Sequence, residues 1–442
     1  MGKNKKKEQF TSVGFIMAAI GSAVGLGNMW KFPYITGIYG GAAFFILFLF
    51  CLLLVGLPIL LAEMSVGRAG RGNPVASMMK LGGKKWGALG FLSVAGSFLI
   101  MSFYGVVAGW TLHYALLSFT GDLFSTNDFS GLYKDFIGGW MPIGWQFIVM
   151  LITAYVLIKG VSSGIERFNK ILIPGLVILL VLLAIQALSL PGAGQGVSFF
   201  LKPDFSKLTA ESALVALGQA FFSMSLGMGT MITYGAYVQK SQSLGGATVA
   251  VGLGNVLYAL LAGLIIFPTI FVYGIEPSEG PGLVFIALPA AFSAMPLGAI
   301  FGGLFFVLLA FAAITSAISV LEVSVAFAMD YFGWKRPMAV IIVASLCFLA
   351  GVPAALSLGG QLDWLVFGGK PLFDWMDFLG TNILLPLNGL ILTIFVGFVW
   401  KGAAEESGLT SMWFRIWLFM LRFVAPILVL LVLLYSTGII KL

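Results

Sequence analysis

Two short stretches of the sequence join residues ill suited to a continuous helix with residues able to hold an ion. One reads Gly21-Ser22-Ala23-Val24-Gly25-Leu26-Gly27-Asn28, and the other Ser223-Met224-Ser225-Leu226-Gly227-Met228-Gly229. Each glycine costs a helix interior about 1 kcal/mol relative to alanine. Both stretches nevertheless lie inside long apolar segments, where an unpaired backbone group is expensive unless protein, an ion or water satisfies it. Interrupting a helix frees carbonyls at the end of its first half. It also frees N–H groups at the start of the second half, which attract a carboxylate. Those carbonyls, with Asn28, Ser223, Ser225, Asn255, Thr315 and Ser316, make an oxygen set without a carboxylate. Such a set suits a monovalent cation, with sodium the natural candidate, better than calcium, which recruits acidic ligands. Close helix packing through small residues is the alternative for either stretch alone. Two such stretches, in the first and sixth apolar segments, point instead to an inverted repeat with an ion and substrate site at its axis.

The elements that must position these residues follow from composition. Of 442 residues, 60% are hydrophobic and 9% charged, with a net charge of +7; soluble domains carry about 25% charged residues. Lipid must therefore solvate most of the surface, which disfavours a soluble enzyme and a nucleic-acid binder. Cutting the chain into spans of about 20 residues gives eleven transmembrane helices, from Thr11–Tyr39 to Ser411–Thr437. Lysine and arginine collect in alternate connections, which by the positive-inside pattern puts the N-terminus in the cytoplasm and the C-terminus outside. The expected organisation is a basic cytoplasmic segment (1–10), a first five-helix repeat (11–189), an extracellular loop (190–211), a second repeat (212–400), and an eleventh helix with the C-terminus (401–442). Cys51 and Cys347 have neither disulfide nor metal spacing. Glu63 and Glu322 fall inside spans, where a carboxylate needs a partner; a structural role facing the bundle interior is expected.

With those motifs in place, the chain resembles the neurotransmitter:sodium symporter family, and in particular its bacterial amino-acid transporters. The resemblance rests on Gly25-Leu26-Gly27-Asn28 with Phe32-Pro33, on Ser225-Leu226-Gly227 followed by Ile232-Thr233-Tyr234, and on Thr315-Ser316, in register over most of the chain. It implies an all-α membrane protein of 5+5 inverted-repeat architecture, with helices 1 and 6 unwound at mid-membrane. It implies one sodium site from Ala23, Asn28, Ser223, Asn255 and the substrate carboxylate, and a second from Gly21, Val24, Ala312, Thr315 and Ser316. Substrate is expected against Leu26, Gly27 and Tyr104 at its carboxylate and against Ala23, Phe222 and Ser225 at its ammonium. Ser22, Ile100, Tyr104, Phe222, Met228, Ser316, Ser319 and Val320 would choose the side chain. That wall holds no charge, so a neutral hydrophobic amino acid is expected, and the unbranched Met228 suits cargo of varied size.

For the gates, the resemblance pairs Lys31 with Asp377 on the outer side, with Phe222 over Tyr104 as a lid, and Asp330 with a basic N-terminal residue on the inner side, Lys6 being closest in register. Lys31 departs from the family's usual arginine; a lysine cannot make the bidentate fork, which implies a looser gate. Gly164 and Pro174 match a spacing linked to unwinding along the ion-release path, an ordinary proline kink being the alternative. Ala259, four residues after Asn255, leaves the chloride requirement open. The implied function is sodium-coupled symport of neutral hydrophobic amino acids by alternating access, in a bacterial inner membrane and with a monomer sufficient for transport. The competing reading is a membrane-embedded sensor that binds amino acids without moving them.

Overall fold

The computed structural model describes residues 8–275 and 282–440. Apolar segments in lipid must satisfy their own backbone groups, so they wind as helices, and nine unbroken helices among the described residues are long and apolar enough to cross a membrane. In chain order the elements that build the site begin with α1 (Ser12–Ala23) and α2 (Gly27–Ile38), then α3 (Ala42–Gly70), α4 (Pro74–Gly82) and α5 (Lys84–Thr120). Next come α6 (Met141–Ile158), α7 (Val161–Leu188), α8 (Ala210–Ser223), α9 (Thr230–Ala236) and α10 (Leu244–Val272). The chain closes with α11 (Gly298–Phe332), α12 (Arg336–Leu358), α13 (Leu372–Val399) and α14 (Ser411–Ser436). Besides short loop helices, a two-residue ribbon pairs Val366–Phe367 with Lys370–Pro371.

The first apolar segment is α1 plus α2, bent by 43°. Thr11 caps α1 by accepting the Gly14 N–H at 3.1 Å. The interruption is narrower than the glycine spacing suggests, because α1 runs through Gly21 to Ala23 and only Val24–Leu26 separates the two helices. The reason lies in tight packing: Gly21 meets Asn169, Ile173 and Thr315, where its missing side chain is what allows the approach. Beyond the gap, Gly27–Lys31 winds as a π-helix before regular helix resumes at Phe32.

The sixth segment breaks more widely. A capping box at Thr209 and Ser212 starts α8, which ends at Ser223. Turns then carry the chain from Met224 to Gly229, with positive φ at Ser225 (53°), Gly227 (77°) and Gly229 (74°). At Gly227 glycine is required twice over, since φ is left-handed and a Cβ would overlap the Leu385 carbonyl.

α5 and α11 are the most deeply buried of the crossing helices and pack along each other. The opposite faces of the outer helices carry exposed Phe50, Leu53, Ile171, Leu349 and Ile427. On a soluble protein such faces would mark interaction surfaces; here they match the hydrocarbon that the composition requires.

Candidate functional site

The two half-helices α1 and α8 end side by side, on Ala23 and Ser223. Asn255, fully buried on α10, donates from Nδ2 to the Ala23 carbonyl and to the Ser223 carbonyl, both at 3.0 Å. Ser223 Oγ donates to the Ala220 carbonyl (3.3 Å) and approaches Asn255 Oδ1 at 3.5 Å. Two helix C-termini, each with partial negative charge, are thus tied through one amide. Asn28 is also fully buried, on the π-helical turn, and neither Oδ1 nor Nδ2 has a hydrogen-bond partner among the described residues. Leaving a buried polar group unpaired costs about 1–3 kcal/mol. A side chain with both amide atoms in that state is poised for something besides packing.

Between the two breaks lies a cavity of about 350 Å³. Its polar wall includes Ser22, Gly25, Leu26, Gly27, Ser225 and Ser316, and Ile100, Tyr104, Phe222, Met228 and Val320 supply most of the apolar wall. The Leu26 N–H points to the Tyr104 hydroxyl at 3.5 Å. Among the described residues, no Asp, Glu, Lys or Arg lines the space. Of the residues expected to choose the side chain, Ser319 stands one layer back, donating to Ser22 Oγ and to the Ser316 carbonyl, both at 2.8 Å. Ala23 does not line the cavity either; its carbonyl faces Asn255.

The residues expected at a second cation position also meet. Ser316 Oγ donates to the carbonyls of Gly21 (3.2 Å) and Ser22 (3.3 Å). Thr315 Oγ1 donates to Phe311 and Ala312, each at 3.0 Å. A hydroxyl whose proton is already donated still offers oxygen lone pairs.

Several residues outside the expected site hold the broken sixth segment. Glu63 Oε1 accepts the Gly227 N–H at 2.7 Å, while Asn388 Nδ2 donates to the Gly227 carbonyl at 2.9 Å. Ser97 donates to the Met228 carbonyl, and Gln219 Nε2 to the Gly27 carbonyl at 3.1 Å. Ser97 had a signal in the sequence: it precedes Ile100 and Tyr104 by three and seven residues, one helical face. Asn388 had none, because α13 comes from a distant part of the chain.

The gate residues are arranged differently from the expected pairs. Lys31 does not pair with Asp377: its ammonium lies 5.1 Å from the Phe222 ring centroid, and no ion pair among the described residues joins it to that carboxylate. A flexible point charge takes the nearest aromatic face. Phe222 in turn packs its ring on Gly27, where a Cβ would come within 2.7 Å, and shares the cavity wall with Tyr104. Asp330 accepts from Asn73, at 3.2 Å from N and 2.9 Å from Nδ2; Lys6 lies outside the described residues. Nearby, Glu322 is fully buried and is met by Arg336 at 2.8 and 2.9 Å and by the Tyr237 hydroxyl at 2.7 Å. Gly164 lies in π-helical turns that open α7, against the Val156 carbonyl, and Pro174 sits inside the same helix without ending it.

Comparison with known proteins decides what this assembly belongs to. The model of the sodium:neurotransmitter symporter family matches residues 7–131 and 124–441. The chain belongs to that family. It is accordingly a sodium-dependent membrane symporter and not an enzyme. An uncharacterized sodium-dependent transporter of Bacillus subtilis (strain 168), YhdH, is 38% identical over 453 residues, covering 100% of both chains. One from Haemophilus influenzae is 37% identical over 448 residues, covering 97% of this chain and 98% of its own length. The crystal structure of MhsT in complex with L-phenylalanine superposes with a TM-score of 0.91 at 45% identity, over 98% of this symporter and 100% of that chain.

Proposed function

We propose that this symporter couples inward movement of sodium to uptake of neutral hydrophobic L-amino acids, from aliphatic to aromatic. The observation that carries the reading is Asn28, fully buried with both amide atoms unpartnered among the described residues, beside the paired ends of the two interrupted segments. In this reading a sodium ion sits among Ala23, Asn28, Ser223 and Asn255, and the substrate carboxylate supplies its remaining oxygen while meeting Leu26, Gly27 and Tyr104. One positive and one negative charge then share a site of low dielectric. Each lowers the cost of desolvating the other, and a binding coupling of this kind is reciprocal. A second sodium lies among Gly21, Val24, Ala312, Thr315 and Ser316 and ties α1 to α11. The uncharged wall of Ile100, Phe222, Met228 and Val320 leaves an acidic or basic side chain without a partner, and a structural neighbour is a complex with L-phenylalanine.

Alternating access follows from the architecture read as two inverted five-helix repeats, 11–189 and 212–400, with the N-terminus in the cytoplasm of a bacterial cell and the C-terminus outside. Purified protein in liposomes should accumulate labelled leucine or tryptophan only with an inward sodium gradient. Binding without accumulation would identify a sensor instead. Asn28→Ala should abolish sodium-dependent binding, at least 100-fold in half-saturating sodium, in protein that remains monodisperse; unchanged binding would remove the first cation site.

A further inference from the structure

Asn169 is placed on α7 midway between Gly164 and Pro174. It is fully buried, its Nδ2 donates to the Ile165 carbonyl at 2.9 Å, and its Oδ1 receives no hydrogen bond from the described residues. The orientation of the amide is chemically forced, because a carbonyl can be met only by the N–H side; the oxygen must therefore point the other way. It points at Gly21. A Cβ built on that glycine would overlap Asn169 Oδ1 and lie 3.2 Å from Thr315 Cβ, so α1, α7 and α11 meet there with the asparagine oxygen and the threonine side chain flanking the same backbone atom. Thr315 and Ser316 spend their hydroxyl protons on main-chain carbonyls. The surroundings of Gly21 thus present oxygens, and an unpaired buried amide oxygen is costly unless a donor or a cation meets it.

We infer that Asn169 Oδ1 is a further oxygen ligand for an alkali cation held between Gly21, Ala312, Thr315 and Ser316, supplied by the same helix that carries Gly164 and Pro174. The inference rests on the proposed sodium coupling and adds α7 to the two helices that grip the second cation. A neutral carbonyl oxygen suits a hard monovalent ion, and its place on α7 links that helix's movement directly to the ion's coordination.

The test is sodium titration of the purified full-length protein, read as the thermal unfolding midpoint without amino acid, since a ligand of the folded state stabilises it by mass action, and as binding of labelled leucine. Asn169→Ala removes the oxygen and should raise half-saturating sodium at least fivefold in both readouts. Asn169→Asp keeps an oxygen, adds charge and loses the donor to Ile165; it should bind sodium more tightly than Asn169→Ala. A purely structural asparagine predicts the opposite order, because both variants lose the Ile165 bond and aspartate also buries a charge. Half-saturating sodium within twofold of wild type in Asn169→Ala, or weaker sodium binding in Asn169→Asp than in Asn169→Ala, would overturn the assignment. Should Asn169→Ala not fold, Asn169→Leu, close to asparagine in volume and without a side-chain oxygen, is held to the same fivefold criterion. Absence of any sodium response in the wild type would instead refute the proposed coupling.

Discussion

Arg336 shows how a charge is kept inside this bundle. Glu322 is fully buried in α11 and is tolerated there because Arg336 meets both of its oxygens and the Tyr237 hydroxyl donates to one of them. Removing one member of a buried pair leaves an uncompensated charge, which costs about 3–5 kcal/mol. Arg336→Leu should therefore lower the thermal midpoint sharply, whereas Glu322→Gln with Arg336→Leu should recover part of the loss; equal losses in the single and double variants would argue against a charge origin. Glu63 follows the same logic with a different partner, a backbone N–H at Gly227. Its interior, structural placement was expected from the sequence, since a carboxylate in lipid must find a donor, but the donor's identity was not.

At the scale of the element, the broken sixth segment is held in shape by its neighbours. Gly227 has positive φ and no room for a side chain against Leu385, while Asn388 and Glu63 hold its carbonyl and N–H. Gly227→Ala should lose at least tenfold in substrate affinity, measured by competition binding. Gly144→Ala, at a position with open space around it, is the control and should be neutral or stabilising by up to about 1 kcal/mol. For α7, Pro174 removes one helix hydrogen bond in the helix that the family resemblance implies for ion release. Pro174→Ala should slow uptake severalfold with little change in equilibrium binding, as flux and binding assays on the same preparation would separate; a parallel change in both would mean that the proline acts on packing alone.

For the whole molecule, the proposed entry of two sodium ions with one zwitterion would move net positive charge across the bilayer. Each elementary charge carried through 100 mV gains about 2.3 kcal/mol. An inside-negative diffusion potential should thus raise accumulation of labelled leucine in liposomes well above that at zero potential; uptake indifferent to potential would exclude the two-sodium stoichiometry. The same scale explains the composition. Exposed Phe50, Ile171 and Leu349 are stable outward because the surrounding solvent is hydrocarbon, and α5 and α11 are buried because the other helices enclose them.

Much was legible in the sequence because the physics involved is local. Apolar run length fixes which segments wind as helices, and glycine-rich stretches beside Asn28 and Ser223 mark where winding fails. Ser22, Leu26, Ile100, Tyr104, Phe222, Met228, Ser316 and Val320 do come together around one cavity. The tertiary structure decided the rest, since long-range partners leave no periodic trace: Asn255 joining Ala23 to Ser223, Asn388 and Glu63 gripping Gly227, and Asn169 facing Gly21 each depend on helices remote in the chain. Lys31 turned to Phe222 for the same reason. Residue type states what a side chain can bind, while only packing determines which of its possible partners lies within reach.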